Sequence, residues 1–286
     1  MTSLRLLPWL AVLGLGVLAC DPASPRNDKP EAPPPDTTQQ PGTEWKLVWQ
    51  DEFDGQAGTP PSSERWVHDV GGGGWGNEQL EFDTARPENA SLDGTGNLVI
   101  TARKERYEGK DYTSARINSS GRFSRAYGRF EARIQLPVGR GIWPAFWLLG
   151  ADVGQVGWPD CGELDIMEYR GQLPAIIRGS IHGPGYSGGN NLGAEYVSSG
   201  GKLNEAFHVY AVEWDPDRIR WQLDGVTFFE ATPAKLPAGK KWVFDHPHFI
   251  ILNVAVGGNF VGPPDRTTVF PQQMKVDYVR VYERGT

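Results

Sequence analysis

Gly162-Glu163-Leu164-Asp165-Ile166-Met167-Glu168-Tyr169 places three carboxylates within six residues of an otherwise apolar, β-prone run. Like charges this close are costly unless a site uses them. On a helix, Glu163 and Glu168 would sit roughly 140° apart around the axis. On a regular strand Glu163 and Asp165 share a face and Glu168 points the other way. One extra residue, a β-bulge at Ile166-Met167, returns Glu168 to the first face. The run therefore predicts a bulged strand that aims Glu163, Asp165 and Glu168 into one cleft and turns Leu164 to the core. The alternative, a solvated acidic edge, fits poorly with Cys161, Leu164, Ile166, Met167 and Tyr169, which mark a buried strand. Two carboxyl groups flanking a bond, with a third beside them, are the groups needed to cleave a glycosidic linkage.

Around this strand the sequence reads as β from Trp45 onward. Asn97–Arg103, Gly128–Leu136, His208–Trp214 and Val276–Tyr282 alternate apolar and polar residues. Asp224-Gly225 is a hairpin turn, and Asp215-Pro216-Asp217 turns the strand before it. Many short strands with turn signals, no long helical period and no internal repeat predict an all-β fold of two packed antiparallel sheets, a sandwich or jelly roll. The Gly-rich stretches Gly71–Gly74, Gly183–Gly189 and Gly257–Asn259 match no phosphate-binding loop and read as rims of a cleft.

The 286 residues suffice for one large domain, and the net charge of −7 gives no electrostatic reason to expect nucleic acid. Eleven Trp residues offer flat faces suited to sugar rings as well as to cores. The N-terminus reads as export machinery. Arg5 precedes an apolar stretch from Leu6 to Ala19 that is short for a membrane span. Val17-Leu18-Ala19-Cys20 resembles a bacterial lipobox, which implies a signal peptide over 1–19 and Cys20 as the lipidated residue of an exported envelope lipoprotein; an ordinary signal cut after Ala19 is the alternative. Residues 20–43, rich in Pro, Asp, Thr and Gln, read as a disordered tether, and 44–286 as the catalytic domain. With Cys20 acylated no intramolecular disulfide remains, and Cys161 reads as a buried, inert thiol.

Several motifs recur together: Trp49-Gln-Asp-Glu-Phe53, Trp75-Gly-Asn77, Arg86-Pro-Glu-Asn89, Tyr127-Gly-Arg-Phe-Glu-Ala-Arg133, Gly141-Ile-Trp-Pro-Ala-Phe-Trp147, Trp158-Pro-Asp-Cys-Gly-Glu-Leu-Asp-Ile-Met-Glu168, His182-Gly-Pro-Gly-Tyr186 and Asp277-Tyr-Val-Arg-Val281. In these the chain, from Trp45 to Glu283, resembles glycoside hydrolase family 16, and within it the bacterial laminarinases, which are endo-β-1,3-glucanases. The resemblance implies a concanavalin A-like jelly roll with an open groove. It implies Glu163 as nucleophile, Glu168 as acid/base and Asp165 as the assisting acid of a retaining mechanism. It departs from many relatives at Glu78-Gln79, after Asn77.

Candidate sugar contacts are Asn77, Arg86, Asn89, Trp143, Trp147, Trp158, His182 and Asn253. Core packing is the competing reading for Trp147, and loop stabilisation for Asn89 and Asn253. No cofactor is expected for catalysis. The resemblance implies a structural Ca²⁺ held by the Asp277 carboxylate and backbone carbonyls near Glu52 and Gly96. The expected partner is a β-glucan polysaccharide, met by a monomer that touches membrane only through its lipid. The bulge argues against lichenase-like and xyloglucan-modifying relatives; mixed-linkage glucan, agar- or carrageenan-type galactans, and a non-catalytic glucan-binding protein are the alternatives.

Overall fold

Alternating apolar and polar residues become strands in the computed structural model, which describes Met1 and residues 44–285. The expected signal peptide over 1–19, the tether over 20–43 and Cys20 lie, apart from Met1, outside the described residues. Among the described residues no helix is long and apolar enough to cross a membrane.

The strands in chain order are β1 (Trp45–Asp51), β2 (Val67–Asp69), β3 (Glu81–Asp83), β4 (Ala90–Leu92), β5 (Leu98–Tyr107), β6 (Lys110–Ser114), β7 (Arg116–Asn118), β8 (Gly128–Gln135), β9 (Ile142–Gly150), β10 (Glu163–Tyr169), β11 (Ile176–His182), β12 (Leu192–Val197), β13 (His208–Asp215), β14 (Arg218–Leu223), β15 (Val226–Ala231), β16 (His248–Val256) and β17 (Gln272–Arg284). One sheet of ten strands runs β15-β14-β13-β8-β17-β5-β6-β3, with β1 and β4 pairing on β17 and β5. The other, of seven, runs β12-β11-β10-β9-β16-β7-β2. Among the described residues every strand pairing is antiparallel except that of β3 with β6. This is the two-sheet jelly-roll sandwich the sequence predicts.

Turn chemistry fixes the register at the sheet edge. Asp224 and Gly225 both take positive φ, +48° and +80°, as a two-residue hairpin between β14 and β15 requires. Between the sheets lies one apolar core that includes Phe130, Phe146, Leu148, Leu164, Tyr169, Trp214, Trp221 and Ile250. β9 and β16 are buried almost throughout, on both faces. Their second face carries two small separate clusters, Leu149, Cys161, Phe249 and Ile251 at one end and Trp143, Ala255 and Val261 at the other. That second face forms the floor of the cleft described next.

Candidate active site

β10 carries the predicted bulge. Glu163 and Asp165 pair with Leu149 and Trp147 of β9; the register then slips, and Glu168 pairs with Ala145. On the other side Asp165 faces Ser180 and Glu168 faces Arg178, so Ile166 and Met167 oppose Gly179 alone. Both residues of the bulge are buried in the central core with Leu164. Gly179 is required here, because a Cβ would lie 2.4 Å from the Trp221 ring. Trp221, reaching over from β14 of the opposite sheet, donates its indole N–H to the Asp165 carbonyl at 2.7 Å. The bulge is thus braced from beneath.

The three acids meet on the cleft face. Ser180 Oγ donates to Asp165 Oδ2 at 2.6 Å and lies 3.4 Å from Glu168 Oε2. His182 Nε2 lies 3.1 Å from the same Asp165 oxygen and 3.7 Å from Glu163 Oε1. Trp158 donates its indole N–H to Glu163 Oε2 at 2.9 Å. Burial, then the neighbouring Asp165, push Glu163 up to about 7 and Glu168 up to about 8; a protonated His182 would oppose both shifts. A glutamic acid that keeps its proton near neutrality can donate one, and its neighbour Glu163 is eased towards ionisation by Trp158 and Arg116.

Of the predicted sugar contacts, Trp147, Trp158 and His182 join the acids. Trp147 faces the cleft and is only half-buried; its indole N–H is held by Asn253 Oδ1 at 2.8 Å. Asn253 is accordingly a support for Trp147. Trp158 leaves 50% of its surface open beside Glu163. Asn77 is exposed on the rim, where its carbonyl accepts the Asn259 N–H at 2.9 Å and joins two of the Gly-rich loops. Beside this junction Glu78, Leu80, Gly258, Asn259, Gly262 and Pro263 line an open groove of about 440 Å³.

Three expectations are corrected. Trp143 is not an open platform: the 257–262 loop folds back, with Gly257 N–H on Gly141 O at 2.7 Å, and covers its ring with Val261 and Phe260. Asn89 is wholly buried, its amide spent on Thr101 O and Thr113 Oγ1, so it stabilises its loop and meets no sugar. Arg86 is turned to Glu105 of β5 and stacked on Tyr107, in the sheet opposite the acids. Cys161 is a buried free thiol, pushed up to about 11 by burial, as expected of an inert one.

The sequence reading missed Arg116. It sits opposite Asn253 on the cleft face, its guanidinium between the rings of Trp75 and Trp147 at 4.6 and 4.8 Å, and paired with Asp69 at 2.9 Å. A charged residue inside Ser114-Ala-Arg-Ile-Asn118 was the available signal. Trp75 is in turn held by Asp83 Oδ2 at 2.8 Å. Asp83 and Glu81 form a second buried acidic pair, pushed up by burial to about 7 and about 8.

Among the described residues, the group of side chains that could hold a metal is Glu163, Asp165 and His182. The expected calcium residues converge elsewhere, by register. β5 and β1 share one edge of β17, opposite 272–276 and 279–284, so Asp277 sits where Glu52 leaves β1 and Gly96 approaches β5. Asp277 Oδ2 accepts from Arg133 Nη1 at 2.7 Å, and the Glu52 carboxylate is paired with Arg280 at 2.8 Å.

A β-sandwich whose cleft sheet carries a proton-holding glutamic acid beside a second carboxylate has the architecture of a glycoside hydrolase. Comparison with known proteins specifies the class. The family model for glycosyl hydrolases family 16 matches residues 77–280, and the chain belongs to that family. It is 45% identical to a beta-glucanase of Rhodothermus marinus over 251 residues, 83% of this chain and 85% of the relative. The laminarinase catalytic domain from Thermotoga maritima superposes with a TM-score of 0.80 at 46% identity, covering 85% of this chain and all of that one. The laminarinase from Rhodothermus marinus gives 0.79 at 43% identity, covering 85% and 99%.

Proposed function

We propose that this chain is an endo-acting, retaining hydrolase of β-1,3-glucan. The observation that carries the reading is the bulge of β10, which turns Glu163, Asp165 and Glu168 onto one cleft face beside Trp158. The names of its relatives, a beta-glucanase and laminarinases, support the substrate class.

Glu168, holding its proton, donates it to the departing glycosidic oxygen. Glu163 attacks the anomeric carbon as that bond breaks, forming a glycosyl ester. Ionised Glu168 then takes a proton from water, whose oxygen displaces Glu163 and restores the starting configuration. Trp158 orients Glu163 through Oε2, and Ser180 links Asp165 to Glu168. Trp147 and Trp158 offer aromatic faces to sugar rings.

Laminarin, mixed-linkage glucan and agarose, supplied separately, test the reading by release of reducing ends. Laminarin should be cut into mixed oligosaccharides by the native enzyme and left intact by Glu163→Gln. Faster cleavage of agarose, or full activity in Glu163→Gln, would refute it.

The proposal extends to a structural Ca²⁺ at Asp277 with the carbonyls of Glu52 and Gly96, supported by their convergence at β17, and to export with Cys20 as lipid anchor, which rests on the sequence from Arg5 to Cys20 alone. A chelator should lower the melting temperature; an unchanged value argues against the ion.

A further inference from the structure

His182 ends β11 with each ring nitrogen facing a different kind of partner. Nδ1 lies 3.0 Å from the backbone N–H of Gly188, which can only donate. Nε2 lies 3.1 Å from Asp165 Oδ2 and 3.7 Å from Glu163 Oε1, which can accept. One proton satisfies this arrangement only if it sits on Nε2. The Asn191 amide is oriented independently, because its Oδ1 is claimed by Arg178. Its Nδ2 therefore faces Nε2, at 3.2 Å, as a second donor beside the ring.

We propose that His182 is a positioning residue of the reaction: a neutral Nε2–H donor to Asp165, with its tautomer set by the Gly188 backbone N–H. The inference rests on the catalytic reading of the three acids given above.

The charges around the ring have to be weighed against this geometry. Burial pulls the imidazole down, while Asp165, Glu163 and Glu168 outweigh it and push it up to about 9. Two of those three pull less than their full charge near neutrality, because Glu163 and Glu168 are themselves pushed up. A second ring proton would also have to lie on Nδ1, directly against the Gly188 N–H. Arg178, paired with Glu168 in register and bonded to Asn191, adds a cation on the same side. The remaining neighbour, the Trp158 ring at 6.1 Å, carries no charge. The neutral Nε2–H tautomer satisfies both the Gly188 N–H at Nδ1 and the Asp165 carboxylate at Nε2, and leaves the Asn191 amide as a donor beside the ring that Nε2 does not accept.

Two consequences follow for the site. Asp165 Oδ2 receives donors from both Ser180 and His182, which fixes the carboxylate beside the nucleophile. Nε2 also has no free lone pair, so the Glu163–Asp165–His182 group is a hydrogen-bond cluster and not a metal site. The Gly183–Asn191 loop thus enters the chemistry through one backbone N–H. Gly188 takes a φ of +55° there, which aims that N–H inward.

The test reads the ring directly. In ¹⁵N-histidine enzyme, His182, assigned among the 5 histidines by its loss in His182→Gln, should show a protonated Nε2 and an unprotonated Nδ1 across about pH 5 to 8. Gln can present a donor where Nε2 sits, so His182→Gln should retain kcat within about threefold, while His182→Ala should lose about a hundredfold with KM little changed. Both nitrogens protonated in that range, a proton on Nδ1 alone, or His182→Gln as impaired as His182→Ala would overturn the proposal. The spectrum needs no substrate, so inactivity on laminarin would sink the proposed function without being mistaken for failure of the tautomer.

Discussion

The indole N–H of Trp221 reaches across the sandwich to the carbonyl of Asp165 at 2.7 Å, so the strand that carries the acids is held by the sheet that carries none. The contact exists because Gly179, opposite the bulge, has no side chain to block it. Trp221→Phe keeps the aromatic bulk and removes the donor. It should cost about 1–3 kcal/mol of stability, the usual penalty for stranding a buried acceptor. It should also lower kcat more than it raises KM, because the bulge sets where Asp165 and Glu168 point. Denaturant titration and steady-state kinetics on laminarin check both; unchanged kcat would mean that the bulge holds without its brace.

The pH profile follows from two raised carboxyls with opposite duties. Glu163 must be ionised to attack, so activity rises with pH through its titration near 7. Glu168 must be protonated to donate, so activity falls through its titration near 8. The limbs are properties of the coupled cluster. The expected kcat/KM curve is a bell displaced well above the ordinary carboxylate range, and one with both limbs below pH ~5 would contradict the assignment. Glu168→Gln should lose about 10²–10⁴-fold on laminarin and much less on an aryl glucoside, whose leaving group needs no proton.

Stability should move in the opposite sense to that of most acid-sensitive proteins. Glu163, Glu168, Glu81 and Asp83 all have raised carboxyls in the fold, so the folded chain holds protons that the unfolded chain has released. Their contribution is fully present below the unfolded pKa of about 4 and is lost as pH rises through about 7 to 8. Melting temperature should therefore decline across that window. Glu81→Gln, which removes one of these charges away from the catalytic acids, should flatten the decline while leaving activity on laminarin intact. A wild-type melting temperature that climbs steadily from pH 5 to 8 would overturn this account.

Arg116 separates charge from shape. It favours ionised Glu163 and stacks between Trp75 and Trp147. Arg116→Lys retains the charge and loses the planar stack, and Arg116→Met loses both. Lysine should preserve the acid limb of the pH profile while raising KM about tenfold, or 1.4 kcal/mol. Methionine should raise KM similarly and shift the acid limb upward. Identical profiles for the two variants would remove Arg116 from the electrostatics of the site.

The catalytic strand was legible because its message is periodic: carboxylates at 163, 165 and 168 can share a face only through an extra residue, and the core must take the apolar pair between them. The hairpin at Asp224-Gly225 was legible because both positions need a positive φ. Asn89 stays ambiguous between sugar contact and loop stabilisation in the sequence, because an asparagine in a polar loop looks the same whether it meets solvent or, as here, knots Thr84, Thr101 and Thr113 together. Trp143 was misread because the loop that covers it lies over a hundred residues away in sequence. Arg116 and Asp83 escaped notice for a similar reason. Each belongs to a three-residue strand, too short to show a pattern, and only sheet topology carries them to Trp75.

The bulge at Ile166-Met167 also limits how this strand can vary. Exchanging one side chain for another there changes packing by degrees. Removing a single codon would instead reverse the facing of every later position in the strand, sending Glu168 into the core and Tyr169 out to the cleft. The spacing between the two glutamates is therefore guarded more strictly than the identity of anything between them, and drift in this segment should proceed by replacement and not by insertion or loss.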